Sequence, residues 1–285
     1  SCLPLSEYPA DEMDKLWKKL LVNQFHDIIP GSSITRVYRE THQQYAEIFE
    51  SCKKLLASAA ARLFIEDKNC VTLFNPLSTA YAGTVRLPEG WKSASVDGKL
   101  LTGQQNGDHT VDVPVNIPAG SFLALERCDE EMLLADINGE ELILENDLIR
   151  YEFNRDAQLI RIFDKEIERE LMPPGQLANV LSLYYDDPVA DDAWDIDIGY
   201  EAQLLENACG SAVEKTSGTV RQVLDFELTV SNSVIRQRII LENSKRLDFE
   251  TCVLWKENHK MLRTCFPVNI QSPEAAFDLQ YGFIK

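Results

Sequence analysis

A histidine and an aspartate stand side by side in a segment that ends with proline and glycine. His26 and Asp27 lie within residues 23–32, NQFHDIIPGS, where Pro30 and Gly31 stop a helical pattern. A neutral imidazole is a common metal ligand, and a carboxylate accepts hydrogen bonds from hydroxyl groups. A helix end that carries both groups can be held rigidly against a cleft. A solvated histidine near a helix end is the alternative interpretation.

Helical geometry predicts where His26 points. From residue 11 to residue 28 the apolar residues follow the spacing of an amphipathic helix, whose face centres near Trp17, Leu20 and Ile28. At about 100° per residue, His26 falls about 170° from that face. We therefore expect its imidazole to face solvent or another domain.

Two helices and many strands are predicted to position this segment. A second helical pattern runs from Ile34 to Phe64, with Ser32 or Ser33 as its cap, and its apolar stripe needs a partner surface. The two helices should form a hairpin or part of a bundle. Beyond Asn69 the apolar period becomes twofold and turn signals recur, which predicts an antiparallel sandwich.

The expected fold class is therefore α+β, with helices first and an all-β region after them. The predicted domains are a helical middle segment, 1–67, and a partial β-sandwich region, 68–285. Division of the second region into two smaller sandwiches near 130–145 is an alternative to a single one. A strand pattern continues to Ile284, so we expect the chain to be an internal piece of a longer one.

Composition narrows the classes of partner. The 285 residues include 28 Lys and Arg against 46 Asp and Glu, a formal net charge of −18. Such a charge repels polyanions, which predicts that neither nucleic acid nor an anionic membrane is a partner. The seven cysteines are an odd number without C-x-x-C spacing, which favours a reducing, cytoplasmic location.

Several motifs give the sequence a family resemblance. The run from Gln24 to Ser32 resembles the His-Asp-x-x-x-Gly-Ser/Thr signature of the glycoside hydrolase family 38 α-mannosidases, in the branch with cytosolic and bacterial members. The segments 73–77, LFNPL, and 192–196, DAWDI, resemble parts of the β region of that branch. The likeness covers essentially the whole chain, but only the middle part of such an enzyme.

The resemblance implies a zinc-dependent retaining hydrolase of terminal α-linked mannose. It gives His26 the role of a zinc ligand, and Asp27 that of a hydrogen-bond acceptor for mannose hydroxyl groups. The nucleophilic aspartate and the other three metal ligands would lie on an N-terminal barrel outside this sequence. We therefore expect the chain alone to be inactive and to hold no stoichiometric zinc.

The implied partners are a mannose-containing oligosaccharide and the N-terminal barrel. Assembly into a homo-oligomer is a further alternative. A different class of function is a carbohydrate-binding or scaffold module without catalysis.

A run of aspartates is the second candidate site. Six of the twelve residues 186–197, DDPVADDAWDID, are aspartates, which is typical of a solvated loop. A calcium loop is rejected because Gly199 and Tyr200 stand where a ligand and the glycine belong. The alternative is a loop at the sugar cleft. There Trp194 would offer an apolar face to a pyranose, and Asp192 or Asp195 would accept hydrogen bonds from its hydroxyl groups.

Overall fold

The structure, a computed structural model, describes residues 4–137, 141–191, 194–279 and 282–285. The chain separates into two compact units, Ser1–Asn69 with Asp187–Asp197 and Cys70–Asp186 with Ile198–Lys285. The first unit contains the α-helices of the described chain, and the second contains its sheets, in which the described strands pair antiparallel apart from one short parallel pair. The predicted α+β class is therefore confirmed, whereas the predicted boundaries 1–67 and 68–285 stay a prediction.

Two antiparallel helices form most of the first unit. Their relative direction follows from two contacts between them. Lys19 Nζ lies 2.7 Å from Glu47 Oε2, and Asn23 Nδ2 donates to Gln44 Oε1 over 2.8 Å. The predicted hairpin with a long second helix is thus confirmed. The helices are α1, Ala10–Asn23, and α2, Thr35–Leu63.

The first helix is shorter than its apolar spacing predicts. It ends at Asn23, and the backbone of Gln24 already has φ −85° and ψ 4°. The predicted position of Ile28 on its apolar face is therefore wrong. The buried apolar residue of this helix is Leu16, whereas Trp17 is exposed. The apolar spacing predicts a longer helix because it continues beyond the residue at which the backbone turns.

The predicted cap of the second helix is also wrong. Ile34 occupies the N-cap position, and no side chain caps the helix there. The backbone N–H of Ser33 instead donates to the Tyr38 hydroxyl over 2.9 Å. The Ser32 hydroxyl donates to Asp27 O over 3.4 Å. Both serines therefore belong to the turn that precedes the helix.

The first part of the second unit consists of two four-stranded sheets around one core. Their strand orders are β1-β7-β3-β4 and β2-β6-β5-β8. Alternation along Val111–Ile117 places Val111, Val113, Val115 and Ile117 in this core, with Leu125 and Trp91. The strands are β1 Cys70–Phe74, β2 Tyr81–Arg86, β3 Ser93–Val96, β4 Lys99–Leu100, β5 Gln104–Gln105, β6 Val111–Ile117, β7 Phe122–Cys128 and β8 Leu133–Leu134.

The second part of this unit has a separate core. Its main sheets have the orders β10-β11-β12-β13, β15-β14-β20 and β19-β18-β17-β16-β9, and β21 pairs with β22. The core contains Leu144, Leu183, Leu224, Phe226 and Ile239, all buried. The strands are β9 Asp136–Ile137, β10 Ile143–Glu145, β11 Ile149–Phe153, β12 Leu159–Asp164, β13 Arg169–Glu170, β14 Val180–Tyr185, β15 Leu204–Asn207, β16 Cys209–Ser217, β17 Gln222–Val230, β18 Ser233–Leu241, β19 Leu247–Leu254, β20 Lys260–Cys265, β21 Phe277–Leu279 and β22 Gly282–Ile284.

Buried polar side chains join the first part of this unit to the hairpin of β16 and β17. Asp112 is 2% exposed and lies 2.5 Å from an amino group of Arg221. The fully buried Gln104 accepts the backbone N–H of Arg221 through Oε1 over 3.0 Å. A Cβ at Gly218 would lie 2.1 Å from the Gln104 carboxamide, so a side chain at this hairpin tip would displace that buried, hydrogen-bonded group.

A buried carboxylate joins two neighbouring turns of the same unit. Glu257 Oε2 lies 2.6 Å from Lys260 Nζ, and Oε1 accepts the backbone N–H of Asn232 over 2.7 Å and the Ser233 hydroxyl over 3.0 Å. The Lys260 ammonium group, more than these neutral donors, lowers the pKa of Glu257 to about 2, against the opposing effect of burial. The charged form of Glu257 therefore stabilises the folded chain.

This carboxylate predicts a particular dependence of stability on pH. Because the pKa is lowered on folding, its contribution is complete above the unfolded pKa of about 4.3 and disappears as the pH falls towards 2. We expect the urea midpoint to fall over this range, and to fall less steeply in Glu257→Gln, which takes up about one proton fewer on unfolding. Asp129→Asn, at an exposed position, is the control and should keep the wild-type slope. Equal slopes for all three proteins would contradict the assignment.

Candidate functional site

The segment between the helices folds into successive turns. The backbone N–H of Ile28 donates to Phe25 O over 2.8 Å, and that of Gly31 donates to Ile28 O over 3.3 Å. Gly31 has φ +93°, in the left-handed region that favours glycine. These bonds bend the chain immediately after α1. His26 and Asp27 consequently lie in a turn and not on the helix.

One hydroxyl group of α2 holds this turn. Tyr38 Oη accepts the backbone N–H of Ser33 over 2.9 Å. It also lies 3.3 Å from Ile28 O and 3.4 Å from Asp27 O, the carbonyls to which it can donate. The turn is therefore fastened to the long helix through backbone groups, which leaves the side chains of its first residues available.

A buried amide fixes the point at which the turn begins. Asn23, the last residue of α1, is 3% exposed. Its Nδ2 donates to Lys19 O over 2.9 Å and to Gln44 Oε1 over 2.8 Å. The residue thus bonds both its own helix and the facing one. This fixes the position from which the chain leaves α1 towards His26.

The His26 and Asp27 side chains are both accessible. The His26 side chain is 72% exposed and that of Asp27 is 48% exposed. His26 Nε2 and Asp27 Oδ2 are 3.6 Å apart, too far for a hydrogen bond. The Phe25 ring lies beside the imidazole, with centroids 4.3 Å apart. Imidazole and carboxylate therefore stand close together, and both are accessible to an incoming group.

The aspartate-rich segment brings an aromatic ring to this histidine. Trp194 belongs to the same compact unit as His26, and their ring centroids are 6.5 Å apart with an interplanar angle of 47°. The Trp194 side chain is exposed, and its backbone N–H donates to Asp191 O over 2.6 Å. The structure thus brings His26, Asp27 and Trp194 together across more than 160 residues of sequence.

Asp195 and Asp192 are the two other aspartates predicted to bind the sugar. Asp195 follows Trp194 in the same turn, where its backbone N–H donates to Asp191 O over 2.9 Å. Its carboxylate accepts the backbone N–H of Ile196 over 2.9 Å and is exposed. Asp192 lies outside the described residues. The roles given to both aspartates stay predictions.

The turn offers only part of a metal-binding set. Within residues 4–137, 141–191, 194–279 and 282–285, no three His, Cys, Asp or Glu side chains are grouped so that they could hold a metal ion. A protein zinc site usually has four ligands, or three and a water molecule. His26, with Asp27 beside it, can therefore contribute a ligand to such a site, and the remaining ligands would have to come from elsewhere.

Sequence reasoning missed Tyr38 and Asn23, which hold the turn. Tyr38 has the position of an ordinary apolar residue in the helical stripe, and its phenol ring satisfies that pattern. Its hydroxyl adds a function that periodicity does not reveal. Asn23 gave a signal that could have been used, since an asparagine at the end of a helical pattern is a common terminator.

Comparison with known proteins assigns the chain to a family. The model of the glycosyl hydrolases family 38 C-terminal domain matches residues 144–285, and that of the alpha mannosidase middle domain matches residues 3–63. The chain belongs to glycosyl hydrolase family 38. Both α-helices of the described chain fall within the family's middle domain, and β10 to β22 fall within its C-terminal domain, apart from the first residue of β10.

The relatives are longer than this family 38 chain. Human alpha-mannosidase 2C1 is 29% identical over 98% of this chain, which covers 26% of that relative. Alpha-mannosidase G of Dictyostelium discoideum is 24% identical over 98% of this chain, which covers 30% of that protein. The chain thus spans about a quarter to a third of the length of these relatives. Neither helix in the part of the chain that is described is long and apolar enough to cross a membrane.

The hydrogen bonds of Tyr38 predict the effect of its removal. Tyr38→Phe keeps the ring but deprives the Ser33 N–H of its acceptor, which should lower the free energy of unfolding of the helical unit by about 1 kcal/mol. Amide hydrogen exchange at Ser33 should become faster. Tyr45→Phe is the matched control, because the Tyr45 hydroxyl has no hydrogen bond in the described chain and its ring packs 6.3 Å from Phe49. Unchanged exchange at Ser33 would contradict the role of Tyr38.

Proposed function

We propose that this chain supplies the middle and C-terminal parts of a zinc-dependent, retaining α-mannosidase. The parent enzyme would act in the cytoplasm and remove terminal α-linked mannose from glycans or oligosaccharides. The observation that carries the proposal is the exposed His26–Asp27 pair with Trp194 beside it. Membership of family 38 and relatives named as alpha-mannosidases support the substrate class.

The roles of the chain's own residues follow from their chemistry. His26 would donate a ring nitrogen to zinc in its neutral form, and its 72% exposure leaves that nitrogen accessible to a docking domain. Bound zinc would polarise the sugar hydroxyl groups and help to fix the ring in a distorted conformation. Asp27 would accept hydrogen bonds from mannose hydroxyl groups beside the metal.

The loop would supply the other side of the sugar. The exposed Trp194 ring would contact the apolar face of the pyranose, and Asp195 and Asp192 would accept hydrogen bonds from its hydroxyl groups. These contacts would orient mannose and keep water away from one face of the ring. The nucleophile and the remaining zinc ligands would come from an N-terminal barrel of the same polypeptide.

The first test uses the 285-residue chain alone. A retaining glycosidase needs a nucleophilic carboxylate and an acid carboxyl about 5 to 5.5 Å apart, and we assign no nucleophile to this chain. We therefore expect no hydrolysis of an aryl α-mannoside above the buffer rate, while the full-length parent turns the substrate over. Turnover by the pure chain would overturn the assignment. A full-length parent that only binds sugar would favour a carbohydrate-binding module.

The second test replaces the proposed zinc ligand in the full-length parent. Loss of a partner that only orients a zinc ligand costs 10 to 100-fold, so His26→Ala should weaken zinc binding by more than about 100-fold and lower kcat with it. Zinc content and initial rates are measured on the same samples. His42→Ala, at an exposed position on α2, is the control and should match the wild type. Wild-type zinc content in His26→Ala would refute the ligand role.

A further inference from the structure

An aromatic and polar patch lies on the three-stranded sheet β15-β14-β20 of the second unit. Asn207, Ser182 and Arg263 form one row, because Ser182 pairs with Asn207 on one side and with Arg263 on the other. Tyr184 lies two residues further along β14, on the same face of the sheet. Tyr200, just before β15, completes the patch. The name "tyrosine–arginine patch" refers below to these five residues.

The aromatic part of the patch has a fixed arrangement. The Tyr184 and Tyr200 rings meet edge to face, with centroids 5.4 Å apart and an interplanar angle of 77°. The Arg263 guanidinium carbon lies 4.6 Å from the centre of the Tyr200 ring, within the range of a cation–π contact. Both rings are only half-buried. The guanidinium therefore lies against partly exposed aromatic surface.

The polar groups of the patch have unused hydrogen-bonding capacity. Within the described chain, Arg263 makes no hydrogen bond or ion pair, so its donors face no carboxylate. The Ser182 hydroxyl donates to Asn207 Oδ1 over 2.7 Å, which leaves the Asn207 Nδ2 donors free in the same part of the structure. The Tyr200 hydroxyl donates to Glu201 over 3.2 Å, which brings an acceptor to the edge of the patch.

Arg161 also lies over an aromatic ring, but its donors are occupied. The Arg161 guanidinium lies 5.0 Å from the centre of the Phe163 ring, but it also bonds Glu152 over 3.0 Å and Glu170 over 2.6 Å. Carboxylates thus occupy the donors of Arg161, and its role is explained by the fold. The donors of Arg263 have no such partners, although the chain has a net charge of −18.

We infer that the tyrosine–arginine patch, which belongs to the second unit, binds a hexose unit of a neutral oligosaccharide. Half-buried rings suit the C–H face of a pyranose, and the guanidinium, amide and carboxylate groups suit its hydroxyl groups. The strong negative charge of the chain disfavours an anionic ligand. The choice of a mannose oligosaccharide rests on the proposed function, for which the patch would be an additional binding surface for the glycan.

The experiment measures binding of a linear α-linked mannopentaose to the 285-residue chain by saturation-transfer NMR and titration. We expect weak, saturable binding that Arg263→Ala and Tyr200→Leu each weaken by about tenfold, the effect of losing one charge-assisted hydrogen bond or one ring contact. Arg263→Lys keeps the charge but loses the planar fork, so it should also weaken binding. Arg161→Ala is the matched control and should bind as the wild type does.

Three outcomes would overturn the inference. They are absence of saturable binding to the wild-type chain, unchanged binding by Arg263→Ala in a folded protein, and equal weakening by Arg161→Ala. Circular dichroism and urea unfolding establish that each variant is folded. Because binding is measured without turnover, a failure of the proposed mannosidase activity would leave this result intact. In an active parent, Arg263→Ala should raise KM for the oligosaccharide and leave hydrolysis of an aryl mannoside unchanged.

Discussion

The candidate site depends on the hydrogen bonds of a single phenol. Tyr38 Oη accepts the Ser33 N–H and faces the carbonyl oxygens of Asp27 and Ile28. A turn without regular secondary structure would otherwise leave these half-buried groups to water, with many conformations of similar energy. The tyrosine is itself anchored on a helix of 29 residues. The rigidity of α2 is in this way passed to the backbone beside His26.

Rigidity of the backbone is combined with freedom of the side chains. His26 forms no hydrogen bond with Asp27, and its exposed ring contacts only Phe25 and Trp194 among the aromatic rings described. An exposed imidazole of this kind suits a site that is assembled from more than one part of a polypeptide, because few of its contacts must be broken when further ligands bind. The Trp194 ring limits the directions from which they can approach.

Much of the fold was accessible from sequence, and the site was accessible only in part. The stripe from 34 to 64 is long enough to predict α2 to within one residue at each end. The same apolar spacing predicted that α1 continues to Ile28. That prediction was wrong because the spacing contains no information about the Asn23 amide and the turn that end the helix. The proximity of Trp194 to His26 joins distant segments, which no local pattern encodes. The family resemblance identified Trp194 and His26 as candidate site residues, but it did not predict that their rings lie close together.

The close approach at Gly218 limits how this polypeptide could be recombined with its relatives. A methyl group there would overlap the Gln104 carboxamide, which also binds the backbone of the neighbouring hairpin residues. A chimera that takes one β core from this chain and the other from a divergent homologue would place unmatched residues at this junction. The two cores should therefore be exchanged as a single block, and crossover points for library construction belong outside residues 71–262, the range over which the core residues lie.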